Sequence, residues 1–113
     1  MSKALITMFE IFKNMFAQAD NKPLNEAIIK DAFLVDVREP AEFSAGTVKG
    51  AVNIPLGKVQ QQLAKFKGKQ HIVVFCRSGN RSAQAKRILE QNGFQNVING
   101  GTWEIVNQIA GGR

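Results

Sequence analysis

The chain has one cysteine and one histidine in 113 residues, and fewer acids than bases, nine against fifteen. A single cysteine excludes an internal disulfide, so the fold does not depend on oxidation and suits a reducing compartment such as the cytoplasm. No cluster of residues has metal-ligand spacing, and no Gly-Lys-Ser/Thr loop is present to cradle a nucleotide phosphate. Nothing in the sequence therefore calls for a metal or an organic cofactor. No run is long and apolar enough to cross a bilayer, and there are no internal repeats or low-complexity tracts. The shortage of acids leaves a formal net charge of +6, which favours anionic partners. The basic residues are scattered. Their densest group, Lys65, Lys67 and Lys69, flanks a turn with no aromatic stacking motif or recognition helix beside it. It reads as a solvated surface, and nucleic acid is not an expected partner.

The length suits one compact domain. Residues 1–20 stand apart as an extension, and residues 22–113 form the domain. In the extension Leu5, Met8, Phe9, Phe12, Met15 and Phe16 recur at helical spacing. The favoured reading is an amphipathic helix packed on the domain or on a second copy of it. An interfacial membrane helix is less favoured, because the polar face lacks Lys/Arg enrichment. Ala17-Gln18-Ala19 resembles a signal cleavage site, so export is the alternative. Glu10 and Lys13, inside what would be the apolar core, argue against it.

Asp20-Asn21-Lys22-Pro23 is a polar turn cluster that reads as a linker. Beyond it, Leu24 to Lys30 has helical spacing, and Phe33 to Val37 reads as a buried strand. Glu39 to Ala45 reads as a short helix with proline in its first turn, ended by Gly46. Gly50 to Pro55 predicts a short strand. Leu56, Val59, Leu63 and Phe66 predict an amphipathic helix ended by Gly68. Ile72 to Phe75 is an apolar, largely β-branched run and predicts a buried strand. Ser82 to Glu90 predicts a helix stopped by Asn92-Gly93. Asn96 to Ile98 predicts a strand, Asn99-Gly100-Gly101 a turn, and Thr102 to Ala110 a closing helix. Strands alternating with helices predict a three-layer α/β domain with a central, mostly parallel sheet and helices on both faces. Ligands of such sheets bind beyond the carboxyl ends of the strands. Cys76 and Asp36 both fall at such ends.

Cys76 opens the run Cys76-Arg77-Ser78-Gly79-Asn80-Arg81-Ser82, between a strand and a helix start. A helix start offers unpaired N–H groups and a positive dipole end. Together with two arginines, this setting lowers a thiol from about 8.5 toward the range of about 3.5 to 7.5. Gly79 suits a backbone angle that other residues resist. Small or polar residues at Ser78 and Asn80 are expected to keep the mouth open. Arg81 sits where a helix dipole disfavours a cation, which points to a site role or to a brace that holds the loop. Ser82 is either a donor to the sulfur or a helix cap. Asp36 suits a cap on the next turn. Arg38 and Glu42, four apart, suit a helix-surface ion pair. His71 lies at the far end of the strand and is no base for Cys76. Trp103 reads as core or pocket wall.

Four motifs, in order, resemble the rhodanese family of sulfurtransferases. They are Leu34-Val35-Asp36-Val37-Arg38-Glu39 with Glu42-Phe43 and Gly46, then Gly50-Ala51-Val52-Asn53-Ile54-Pro55, then the cysteine run, then Gly100-Gly101 with Trp103. The resemblance covers residue 22 to near the end and implies a rhodanese-like fold. It implies that Cys76 carries a sulfane sulfur as a persulfide, taken from a small anionic donor such as thiosulfate. The acceptor is thiophilic: cyanide in an assay, a cellular thiol or a thioredoxin-like protein in a cell. By the same resemblance Arg77 and Arg81 orient the donor, and the backbone of residues 77–81 holds the sulfur, with Ser82 a further substrate-binding candidate and Asp36 and Arg38 in support. Four residues separate Cys76 from Arg81. Related phosphatases and arsenate reductases use a turn one residue longer, so they rank below sulfur transfer. A sulfur-carrier or docking module is the other alternative. Thr47 stands where family members usually carry histidine.

Overall fold

A computed structural model describes residues 21–111. The amphipathic helix predicted within residues 1–20 lies outside the described residues. Helix α1 (Asn21–Ile29) is followed by β1 (Phe33–Asp36), α2 (Pro40–Ala45) and the two-residue strand β2 (Val52–Asn53). Two 3-10 segments, Leu56–Lys58 and Gln60–Phe66, lead to β3 (Ile72–Cys76). Helix α3 (Asn80–Gln91), strand β4 (Val97–Thr102) and α4 (Trp103–Gly111) complete the domain. Asn21, Lys22 and Pro23 belong to α1 and not to a linker. Pro23 sits in the opening turn, where a missing N–H has no helical partner to lose.

The four strands form one parallel sheet in the order β2-β1-β3-β4. All five residues of β3 are buried, which marks it as a central strand covered on both faces. Burying one such side chain is worth about 1.5–3 kcal/mol, enough to offset the roughly 1–2 kcal/mol of ordering its backbone. The period-two alternation of the strand divides the core. Ile72, Val74 and Cys76 face one cluster with Ala85 and Leu89 of α3 and Val59 and Phe66 of the connecting segment. Val73 and Phe75 face the other, with Leu24 and Ile28 of α1 and Val106 of α4. The three-layer architecture predicted from the alternating elements is present.

Three local expectations are corrected. The helix predicted over Leu56–Phe66 is a pair of 3-10 segments, with Gln62 out of helical conformation at φ −122°, ψ 33°. This stretch returns the chain from the carboxyl edge of the sheet to its amino edge, and 3-10 geometry reaches about 2.0 Å per residue against about 1.5 Å for an α-helix. Val59 and Phe66 are fully buried, so the segment follows the core at both ends. The strand predicted over Gly50–Pro55 pairs only at Val52–Asn53, on the sheet edge. The predicted turn Asn99-Gly100-Gly101 is strand: β4 runs on to Thr102 through a bulge, Asn99 pairing with Val74 and Gly101 with Phe75. Gly100 is the extra residue. A Cβ there would lie 2.7 Å from Val106 Cγ2 and 3.0 Å from Val73 Cγ1, so the bulge has no room for a side chain.

Candidate active site

Parallel pairing brings the ends of β1, β3 and β4 to one edge, with Cys76 as the last residue of β3, opposite Thr102. The chain then curls through Arg77 and Ser78 to Gly79, which holds the left-handed conformation (φ 94°, ψ −8°) that an L side chain resists. That conformation turns the first amides of the loop and of α3 back onto the sulfur. Gly79 N–H donates to Cys76 Sγ at 3.0 Å and Ser82 N–H at 3.4 Å. Ser82 Oγ lies 3.4 Å from the same sulfur. Burial pushes the thiol up. The Ser82 hydroxyl and the amides of Ser82, Ser78 and Gly79 outweigh it, so the thiol ionises below its ordinary value. Arg81 adds a favourable charge interaction with the sulfur.

The expectation of an open mouth is corrected. Ser78 and Asn80 are exposed, but Cys76 is fully buried. The contacts that favour the anion require the loop to close over Sγ, and a closed loop excludes water.

The arginines divide. Arg77 is exposed and has no ion pair among the described residues. Arg81 makes a bidentate pair with Glu42 of α2, Nη1 to Oε1 at 2.7 Å and Nη2 to Oε2 at 3.0 Å. The pair ties the start of α3 to α2; the brace expected from Arg81, through the carbonyl groups of its own loop, is not the contact it makes. The Arg81 contact, with the Glu39 N–H as a second donor, holds the Glu42 carboxyl down to about 2. The Arg38–Glu42 pair expected from the spacing does not form. Arg38 precedes α2, so helical i, i+4 geometry does not apply. Its Nη2 and Nε donate to Asp36 Oδ2 and Oδ1 at 2.7 and 2.9 Å, and its backbone N–H donates to Oδ1 at 3.0 Å. The cap role read for Asp36 is thus joined to a buried ion pair. Arg38 also donates to the Gly46 carbonyl at 2.6 Å and lies 5.2 Å from the Trp103 ring centroid. Thr47 Oγ1 donates to Asp36 Oδ2 at 2.8 Å, adding a third partner to that carboxylate.

A cleft of about 270 Å³ opens beside the loop, walled by Arg38, Glu42, Gly46, Arg77, Trp103 and Glu104. The side chains of Asp36 and Arg38 hydrogen-bond to each other and to Thr47 and Gly46, not to the sulfur. They fix the wall of this cleft.

A family model described as a rhodanese-like domain matches residues 16–106. The chain belongs to the rhodanese family. A sulfurtransferase of Allochromatium vinosum is 32% identical over 87 residues, covering 75% of this chain and 81% of that protein. The thiosulfate sulfurtransferase PspE of Escherichia coli is 38% identical over 69 residues, covering 59% and 66%. The matched share varies among relatives: for a longer Schizosaccharomyces pombe protein it is only 62% of that chain. Among solved structures, an E. coli rhodanese with anions is 35% identical, with a TM-score of 0.59 over 65% of this chain and 88% of that one. The relatives named as sulfurtransferases support that general role for this chain.

One residue at the site was not anticipated. Asn99 of β4 accepts from Ser82 Oγ at 2.7 Å and from Gly101 N–H at 2.9 Å through Oδ1, and donates to the Gly79 carbonyl at 3.1 Å through Nδ2. The available signal was a polar residue ending an apolar run, before two glycines that suggested a turn.

Proposed function

We propose that this protein is a thiosulfate sulfurtransferase that works through a persulfide on Cys76. The observation that carries the reading is the set of main-chain donors, Gly79 and Ser82 N–H, directed at Sγ from a helix start. The Cys76 thiolate attacks the outer sulfur of thiosulfate. The new S–S bond forms as the old one breaks, and sulfite leaves with the bonding electron pair. The outer sulfur of the persulfide then lies about 2.05 Å beyond Sγ, toward the same loop amides. An acceptor thiolate attacks it, takes it away as a new persulfide and returns the Cys76 thiolate. With cyanide the product is thiocyanate.

Arg77 is the guanidinium free to meet the donor's sulfonate, since Arg81 is engaged by Glu42. Because Sγ is buried, the exposed lip Arg77-Ser78 must yield for the donor to enter. The cleft beside Trp103 receives the acceptor, a small thiol or the exposed cysteine of a thioredoxin-like protein.

The test is turnover of thiosulfate with cyanide and with thiols, together with intact-protein mass spectrometry. Donor treatment is expected to add about 32 Da, one sulfur atom, at Cys76. A stable adduct without turnover would make the chain a sulfur carrier, and aryl phosphate turnover above that of thiosulfate would overturn the reading.

A further inference from the structure

The Ser82 hydroxyl has a single proton and two neighbours that compete for it. Asn99 Oδ1 lies 2.7 Å away and Cys76 Sγ 3.4 Å away. The orientation of the Asn99 amide is fixed independently of Ser82. Its nitrogen end meets the Gly79 carbonyl and its oxygen end meets the Gly101 N–H. An amide oxygen only accepts, so in the arrangement seen the Ser82 hydroxyl donates to Asn99. With that proton engaged, the 3.4 Å contact between Sγ and Ser82 Oγ is a hydrogen bond only when the sulfur carries a proton to donate. This is the hydrogen-bond pattern of the protonated cysteine.

When the sulfur is an anion, it has no proton to give and needs a donor. The Ser82 hydroxyl can turn to it without leaving a buried group unsatisfied, because Asn99 Oδ1 keeps the Gly101 N–H. The bulge at Gly100 makes this possible by aiming Asn99 at the loop and bringing the Gly101 amide back to the same oxygen.

Resting on the sulfur-transfer reading, we infer that Asn99 is a positioning residue that holds the Ser82 hydroxyl away from Cys76 while the sulfur is protonated and releases it when the sulfur is anionic. Asn99 thus stabilises the resting thiol, and the hydroxyl is recruited to the thiolate and to the outer sulfur of the persulfide. No proton passes between Ser82 and Asn99; the hydroxyl rotates. The charged groups around this corner are Arg81 of α3 with its partner Glu42 of α2, Asp36 of β1 with Arg38, and Arg77 and Glu104 on the cleft. All stay in place in the variants below.

The experiment is the pH dependence of alkylation by iodoacetamide, for which Cys76 is the sole cysteine target. It is run on the full chain, on Asn99→Ala, on Ser82→Ala and on the double variant. The Gly79 carbonyl keeps its Ala83 N–H at 3.0 Å, so Asn99→Ala leaves the loop tied to α3. Asn99→Ala is expected to lower the midpoint by about 0.5–1 pH unit, a roughly three- to tenfold rise in the thiolate-to-thiol ratio. Ser82→Ala is expected to raise it, and the double variant to match Ser82→Ala alone. Asn99→Leu replaces the alanine variant if that one does not fold. An unchanged or raised midpoint in the Asn99 variant overturns the inference, as does a shift that persists without the Ser82 hydroxyl. A parental midpoint at or above about 8.5 would instead count against the sulfur-transfer reading, with the difference between variants still measurable.

Discussion

The two ends of the sheet invite comparison, because the less functional-looking one is the larger. At the amino edge a hollow of about 420 Å³ is lined by Lys30, Phe33, Lys69 and His71. It sets two lysines against Asp31, and it holds the sole histidine. Yet Lys69 lies 4.8 Å from the Phe33 ring centroid, and Asn96 Nδ2 binds the Lys69 and Gln70 carbonyls. At the carboxyl edge the cleft is smaller, but main-chain N–H groups point at a single sulfur. Parallel topology creates this asymmetry. Each strand enters at one edge and feeds its following helix from the other, so helix starts gather at the carboxyl edge. Cationic side chains occur at both ends, whereas directed amide donors are seen at the cysteine.

The widest test of that contrast removes the sulfur. Cys76→Ser is expected to reduce sulfur transfer to the level of buffer while the domain still folds, since the Gly79 and Ser82 amides aimed at Sγ can donate to a serine oxygen instead. Lys69→Ala and His71→Ala, at the other edge, are expected to keep turnover within about twofold, the margin of an ordinary surface change. Turnover kept by Cys76→Ser and lost in the amino-edge variants would reverse the assignment of the two ends.

Next in size is the bulge that supports the loop. Gly100→Ala places a methyl 2.7 Å from Val106 and 3.0 Å from Val73, both fully buried. Overpacking of this kind costs about 1–3 kcal/mol, and each kcal/mol lowers the unfolding temperature of a domain this size by about 4–8 °C. Calorimetry showing no drop would mean that β4 shifts freely. Gly79→Ala is expected to cost about 1–2 kcal/mol for the left-handed backbone and, by turning the Gly79 N–H off Sγ, to raise the alkylation midpoint.

The bulge also shows where sequence reading ends. The β3 strand, the turn after it and α3 were legible because each depends on local pattern: an apolar run, a glycine at a left-handed position, helical spacing. Asn99-Gly100-Gly101 has the composition of a turn, and locally nothing contradicts one. It is strand because β3 offers a ladder beside it and Val73 and Val106 leave room for glycine alone. Asn99 became visible as a site residue only through that tertiary placement. The charge pairs follow the same rule. Spacing matched Arg38 to Glu42, but Arg38 finds Asp36 within its own turn, and Glu42 finds Arg81 from 39 residues away. The 3-10 connection likewise answers to the distance between sheet edges, which no local pattern records.

Ionisation gives a subtler test. The Cys76 thiol is lowered in the folded state, so the thiolate stabilises the fold. This contribution is complete above the unfolded value of about 8.5 and is lost as pH falls through the lower folded midpoint. The stability of the parental chain minus that of Cys76→Ser is therefore expected to rise with pH across that window. A flat difference would mean that the loop amides do not favour the anion.

The smallest effect belongs to the tie between α2 and α3. Glu42 and Arg81 are each about 30% exposed (30% and 32%), so water screens their pair, and such pairs contribute about 0.2–1 kcal/mol. The sign is still readable. The Glu42 carboxyl is held to about 2 from an ordinary 4.5, so its stabilisation is present above 4.5 and lost as pH falls toward 2. Glu42→Gln is expected to be slightly less stable than the parent at neutral pH and to converge with it in acid. It also frees Arg81, leaving two unpaired guanidinium groups at the mouth. If Arg81 serves only as that tie, the Michaelis constant for thiosulfate stays unchanged or rises as the loop loosens. A lower constant in Glu42→Gln would show that a freed Arg81 binds the donor, and that Glu42 normally restrains the carboxyl edge from using both of its cations.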